Sequence, residues 1–180
     1  MGNSMGSFIV RTFAIQHSEE SIAGIILCGT SMNSREILDG GKKIVYENLE
    51  RKGGPRGHTG KLLHFMFSHY NDRFRPARTD TDWVNRDSEI VDRTAADPLA
   101  NFFFSMGLHL DMTYGQEFNM NPENIAKMNK ETPILIVSGE DDAAGDFGEG
   151  PRKVRRAFLD AGITDVTLIL YEGARPDILH

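Results

Sequence analysis

Four residues in, the chain places a serine between two glycines, in the pentapeptide Gly2-Asn3-Ser4-Met5-Gly6. This G-x-S-x-G spacing suits a sharp turn from a strand into a helix, because the glycines leave room for a strained backbone that lifts the hydroxyl above the sheet. A hydroxyl presented this way attacks a carbonyl carbon once a neighbouring base takes its proton. Position matters as much as composition, since almost no sequence precedes the turn to supply the strand that feeds it. The chain has a single cysteine, Cys28, inside the apolar run Ile25-Ile26-Leu27-Cys28. No basic group stands beside it, so it reads as a core thiol rather than a second nucleophile. A lone cysteine forms neither an intrachain disulfide nor a metal cluster.

An exposed serine needs a rigid frame. Three short apolar runs bounded by turn residues read as parallel strands: Ile22 to Cys28, Ile134 to Ser138 and Val166 to Tyr171. None alternates cleanly, which predicts strands covered on both faces. A helix is expected from Ser7 to His17, with Phe8, Ile9, Thr12 and Phe13 as its apolar face. A second is expected from Pro151 to Ala161, with Val154, Ala157, Phe158 and Ala161 on one face, proline at its start and Gly162 as its stop. Strands alternating with helices indicate an α/β layer fold. Residues 32–132 break that rhythm with helical patterns and no convincing strand. Arg35 to Arg51 carries Ile37, Leu38, Gly41, Ile44, Val45 and Leu49 on one face, and Gly53 to Gly57 separates it from a further helix over Lys61 to Tyr70. Aromatic and methionine side chains, among them Phe65, Phe67, Phe102, Phe104, Met106 and Phe118, crowd this helical insertion.

Composition narrows the function classes. The 180 residues are 39% hydrophobic and 26% charged, enough for one domain with a real core. A net charge of −6 argues against nucleic acid or an anionic membrane surface as the main partner. No stretch approaches the roughly eighteen apolar residues of a membrane span. With one buried-looking thiol, the expected compartment is the reducing cytoplasm. The reading includes no cofactor and no metal.

Five landmarks in order carry a resemblance. They are Gly2 to Ser7, Ile25 to Ser31, the insertion with Asn71-Asp72-Arg73-Phe74 and Ala96-Asp97-Pro98-Leu99, Pro133 to Asp142, and Tyr171-Glu172-Gly173-Ala174-Arg175. Together they resemble the α/β-hydrolase group of monoacylglycerol lipases, lysophospholipases and serine aminopeptidases. The resemblance implies the C-terminal portion of that α/β fold, with about three parallel strands and helices. Residues 1–31 and 133–180 would form the incomplete core, and 32–132 a helical cap. Ser4 would be the nucleophile, acting on acyl esters such as monoacylglycerols or lysophospholipids. The Met5 N–H would be one oxyanion donor, and Asp142 the triad acid, with Asp141 as the competing position.

The same resemblance exposes two gaps. The family histidine follows the last strand in a Gly-Ala-Arg-His turn, whereas this chain reads Gly173-Ala174-Arg175-Pro176. Proline supplies neither a base nor an acid. His180, four residues on, would sit about one helical turn (~5–6 Å) away from that position, and His17, His58, His64, His69 and His109 read as surface or packing residues. The second oxyanion donor belongs to an early loop with no counterpart in this sequence, and an in-frame extension upstream of Met1 would supply it. The expectation is therefore twofold: a serine carboxylester hydrolase by descent, or an inactive truncated remnant that associates through an open sheet edge, as a homo-oligomer.

Overall fold

The computed structural model describes residues 1–100 and 103–179. Contacts divide them into two compact units, one of residues 1–32 with 115–180 and one of residues 33–114. The expected insertion, 32–132, contains the second unit whole. Ile125 and Met128, inside those expected bounds, pack in the core of the first unit. Among the described residues no helix is long and apolar enough to cross a membrane.

The first unit is built on a parallel sheet of four strands, β1 (Gly2–Asn3), β2 (Ile25–Cys28), β3 (Ile134–Gly139) and β4 (Val166–Tyr171), in that spatial order. The expected count was three. The fourth strand is the two-residue β1, which pairs Gly2 with Leu27 and Asn3 with Cys28, so even this short lead-in docks against β2. β2 begins at Ile25 rather than Ile22, the run being interrupted by Gly24. Helices α1 (Met5–Gln16) and α7 (Glu149–Asp160) contribute Ala14, Ile15, Val154 and Phe158 to one core with Ile25, Leu27, Ile134, Ile136 and Val166. Phe118 of α5 (Met106–Met120) packs against it, and the short α6 (Pro122–Ile125) adds Ile125. Gly162, at φ 87°, ends the segment that leaves α7 as expected.

Two expectations about faces fail, for physical reasons. The side of α1 that turns inward is Ser7, Arg11, Ala14 and Ile15, while Ile9 is 63% and Phe13 46% exposed. A Cβ at Gly2 would overlap the Gly6 carbonyl and the Val10 side chain, so the turn itself fixes the helix's rotation. The rotation buries Arg11, which is satisfied by the carbonyls of Ser31 (2.9 Å) and Asn119 (3.2 Å). Burial lowers its pKa to about 10. β4, moreover, is not covered on both faces. β4 alternates buried and exposed from Val166 to Tyr171, and Ile26, Ile169 and Tyr171 face outward. That alternation is the mark of a sheet covered on one side.

The glycines of the turn lead to a contrasting pair of outcomes. Gly2→Ala should disrupt the turn, because backbone and not a flexible side chain stands in the way. Gly6 has open space where a Cβ would project. Gly6→Ala should therefore be tolerated and add up to about 1 kcal/mol through helix propensity. Thermal melts of both variants test this.

The second unit is helical. α2 (Arg35–Asn48) starts at Ser34, whose hydroxyl accepts the Ile37 N–H, and buries Leu38, Gly41 and Val45, whereas Ile37 lies half exposed. Val45 meets Leu62 of α3 (Gly60–Phe67) and Met106, with Ile44, Leu49, Met66 and Leu110 around them. α4 (Ser88–Ala96) is capped by Asp87, whose carboxylate accepts the Glu89 N–H. Phe67, Tyr70, Trp83 and Phe104 form a stack of rings. Phe102 lies outside the described residues.

His109 fills the space left by the missing side chain of Gly41 and is buried, with no hydrogen-bond partner at Nε2. Burial holds its pKa below the ordinary 6.5. The unfolded chain then binds a proton near pH 6.5 that the folded chain refuses. Stability should fall as pH drops through that value, and His109→Gln should flatten the dependence in urea titrations at pH 8 and pH 5.5.

Candidate active site

Ser4 stands between β1 and α1 with φ 49° and ψ −118°, a conformation that costs a non-glycine residue about 1–3 kcal/mol. Three hydrogen bonds hold it there. Its N–H donates to the Cys28 carbonyl (2.9 Å), and its own carbonyl accepts both the N–H (2.9 Å) and the hydroxyl (2.6 Å) of Ser7. Serine before a helix ordinarily caps it through its side chain. Here the side chain makes no capping bond. Met5 is the first residue of α1, so its N–H has no acceptor within the helix and lies at the positive end of the helix dipole.

The loop after β3 turns one of two adjacent carboxylates inward. Asp142 is 1% exposed, whereas Asp141 is only half buried and anchors its N–H on the Ala174 carbonyl (2.9 Å). Asp142 accepts the Ser138 hydroxyl (3.1 Å) and the Gly145 N–H (2.9 Å). Burial pushes its pKa up, against the lowering effect of the bonds from Gly145, Ser138 and Ala144. Among the described residues its bonding partners are N–H and hydroxyl groups, with no cation.

The turn after β4 closes over the same spot. Gly139 has no room for a Cβ because the Ala174 and Arg175 carbonyls press on it. Gly29, at φ 57°, marks where three segments meet. The point where its Cβ would lie is 3.8 Å from Asn3 Oδ1, 3.8 Å from Asp142 Oδ2 and 3.9 Å from the Pro176 carbonyl oxygen. The structure thus gathers the residue before Ser4, the buried carboxyl and Pro176 at the carboxyl ends of the strands. Cys28 is fully buried there, and burial followed by the charges of Asp142 and Asp177 raises its thiol pKa, so it is no nucleophile.

Among the described residues of the first unit no histidine completes the set. His17 ends α1, about 18 Å of helix away from its start, and lies 3.8 Å from Glu19. His58, His64, His69 and His109 belong to the second unit, and His180 lies outside the described residues. A cleft of about 940 Å³ in the second unit is lined by Leu63, His64, Phe67, Ser68, Arg75 and Arg78, among others. The Ser68 hydroxyl has no partner, so nothing there activates it. Among the described residues no group of three or more His, Cys, Asp or Glu could hold a metal ion.

Sequence reasoning missed Ser7, Ser138 and Gly29. Ser7 lies three residues after Ser4 and Ser138 four before Asp142, spacings at which a hydroxyl reaches back or forward across one turn.

Solved structures share this fold. A thermostable carboxyl esterase from Bacillus coagulans superposes with a TM-score of 0.83 at 28% identity, over 98% of this chain and 56% of the esterase. A lipase in its open form gives 0.82 at 28%, over 98% and 56%. A soluble variant of the monoglyceride lipase from Saccharomyces cerevisiae gives 0.70 at 22%, over 99% and 56%, a likeness of fold alone. The chain therefore spans little more than half the length of these enzymes, and its four-stranded sheet is a partial α/β-hydrolase fold. No curated protein sequence matches it. The sequence profile described as serine aminopeptidase, S33, matches residues 1–180. The chain belongs to the serine aminopeptidase (S33) family, and its fold is that of the α/β-hydrolases.

Proposed function

We propose that this chain carries the acyl-ester site of a serine hydrolase, for substrates such as monoacylglycerols or lysophospholipids, in a form without its own base. Ser4 is the nucleophile position, Asp142 the acid position, and the Met5 N–H one of the two oxyanion donors. The observation that carries the reading is the backbone of Ser4. A strained φ of 49° is retained with no capping bond to justify it, and strain of this kind is kept where a reacting group must be presented. Asp142, buried and with no cation bonded to it among the described residues, supports the second half of the proposal, because its role in the family is to stabilise an imidazolium and Pro176 offers none. The cap role of residues 32–132 and a reducing cytoplasmic setting, suited to the buried Cys28 thiol, belong to the same proposal.

Without a base, Ser4 remains a neutral alcohol and turnover falls to what binding and one oxyanion donor supply. Hydrolysis of p-nitrophenyl butyrate by the chain should lie within about tenfold of the Ser4→Ala variant, since a general base supplies about 10²–10⁴-fold. Fast hydrolysis abolished by Ser4→Ala would instead require a base that this reading lacks.

One observation favours a second reading, an inert chain that associates through its sheet. Among the described residues β1 and β4 each pair on one side only, and unpaired strand edges recruit other strands. Size-exclusion chromatography with light scattering separates the two readings. A well-folded monomer with cooperative unfolding contradicts association.

A further inference from the structure

Three acceptor oxygens converge at Gly29. The point its missing Cβ would occupy has, outside the adjoining residues, Asn3 Oδ1 and Asp142 Oδ2 at 3.8 Å and the Pro176 carbonyl oxygen at 3.9 Å as its nearest atoms. Asn3 is exposed, and Gly29 and Pro176 are half-buried, so solvent reaches this point. Asp142 takes donors from Ser138, Gly145 and Ala144. An ionised carboxylate has about four acceptor positions, which leaves one open. Among the described residues no cation bonds Asp142. The charges of Asp142 and Asp177 both act on the adjoining Cys28, and such a field favours a cation. A buried carboxylate without an opposite charge is costly. A ligand that brings an N–H and can become positive relieves that cost.

The neighbours of this point select the ligand further. Asn3 directly precedes Ser4, whose strained backbone sets its hydroxyl apart from any capping bond. A ligand held here stands between a carboxylate that accepts an N–H and a hydroxyl that must lose its proton to react. An ammonium ion offers donors and no lone pair. A neutral amine carries its N–H and its lone pair on the same nitrogen. A neutral imidazole carries them on two separate ring nitrogens, so one donates to Asp142 while the other accepts from Ser4.

We propose that an imidazole-bearing ligand binds between Ser4 and Asp142, against Asn3 and the Pro176 carbonyl, and supplies the base that the chain itself lacks. The proposal rests on the reading of Ser4 as the nucleophile position. As the Ser4 oxygen bonds to the acyl carbon, its proton passes to the free ring nitrogen. The imidazolium returns that proton to the departing alkoxide, which leaves as the alcohol. The same nitrogen then takes a proton from water as the water oxygen bonds to the acyl carbon, and delivers it to the Ser4 oxygen as the acyl bond breaks. Ester and water become acid and alcohol, and the imidazole is unchanged. It is carried either by a free molecule or by the acyl group of the ester.

The test is fluorophosphonate labelling of the full chain at pH 8, where imidazole is mostly neutral, read by intact mass. Added imidazole should raise the labelling rate at least about tenfold, part of the 10²–10⁴ of a positioned base, and the rise should level off. N-Methylimidazole, which has no N–H for Asp142, should give no such plateau, nor should imidazole with Asp142→Asn. Imidazole at about five times its Kd should also raise the Tm of Ser4→Ala by about 2–4 °C. A second arm separates the two sources of the base. Hydrolysis of the p-nitrophenyl ester of imidazolepropanoic acid at least about tenfold faster than the butyrate, after subtraction of the Ser4→Ala rate, assigns the imidazole to the substrate. Acceleration by free imidazole alone assigns it to a separate ligand. A rate that climbs in proportion to imidazole without a plateau, or that N-methylimidazole raises equally, overturns the proposal. Stabilisation of Ser4→Ala without faster labelling overturns the reading of Ser4 and the proposal with it, whereas the absence of both effects overturns the proposal alone.

Discussion

Pro176→His should raise the rate at which Ser4 reacts by about 10²–10⁴-fold, the span a positioned general base contributes. The turn needs no proline to hold its shape. The Pro176 carbonyl accepts the Ile178 N–H at 3.1 Å, and the Ala174 and Arg175 carbonyls lie against Gly139. An imidazole at 176 would enter beside a carboxyl already buried and already aligned by Ser138 and Gly145. Asp142 would then fix its tautomer and stabilise its protonated form. Met5 is the one oxyanion donor assigned within these residues. Loss of a single donor costs about 10²–10³ in turnover, so the repaired chain should remain slower than a complete enzyme by about that factor. Activity-based labelling and p-nitrophenyl butyrate hydrolysis should rise together.

Asp142→Asn should act in opposite directions in the two backgrounds. In the natural chain, burial raises the Asp142 pKa above its ordinary 3.8. A carboxyl with a raised folded-state pKa contributes its full stability below the unfolded value and loses it as pH climbs through the folded one. Ionisation there is a liability that no cation among the described residues offsets. Asparagine still accepts the Gly145 N–H and removes the charge. The melting temperature at pH 7 should therefore rise by roughly 2–4 °C, the shift expected for about 1 kcal/mol in a chain of this size, and the gain should disappear at pH 3.5. In the Pro176→His background the same substitution should cancel most of the gain, a loss of up to about 10²–10⁴-fold, because the aspartate acts only through the histidine, and should no longer stabilise. Melts of the four proteins at two pH values, with matching rates, form one double-mutant cycle. Equal effects of Asp142→Asn in both backgrounds would separate Asp142 from position 176.

Much of this was legible in the residues, and the failures share a cause. β3 and β4 were readable because the short apolar runs Ile134 to Val137 and Leu168 to Tyr171 are bounded by turn residues and too short for a helix. α7 was readable because Val154 and Phe158 fall at helical spacing and Gly162 stops the segment. α1 was misread because its buried face contains Ser7, held by the Ser4 carbonyl within the turn, and Arg11, whose burial is tolerable only through partners distant in sequence, Ser31 and Asn119. β1 was invisible because two residues carry no periodicity, and only the partner strand makes them a strand. The uncovered face of β4 was hidden for a related reason, since an apolar run reads the same whether or not a second layer is present. At the site, Ser4 was legible from the pentapeptide. Asp142 and Pro176 took meaning only from the resemblance, and the choice of Asp142 over Asp141 as the inward carboxylate required the geometry.

The central claim is that Ser4 is presented for attack but lacks a base because proline occupies position 176. The most direct measurement is the pH dependence of fluorophosphonate labelling at Ser4, read by intact mass, for the natural chain, Pro176→His and Ser4→Ala. The account predicts slow labelling of the natural chain with no inflection between pH 5 and 8, none for Ser4→Ala, and fast labelling of Pro176→His that rises through an inflection near the histidine value of about 6.5. Fast labelling of the natural chain with that same inflection would contradict it, because a working imidazole would then already stand beside Ser4.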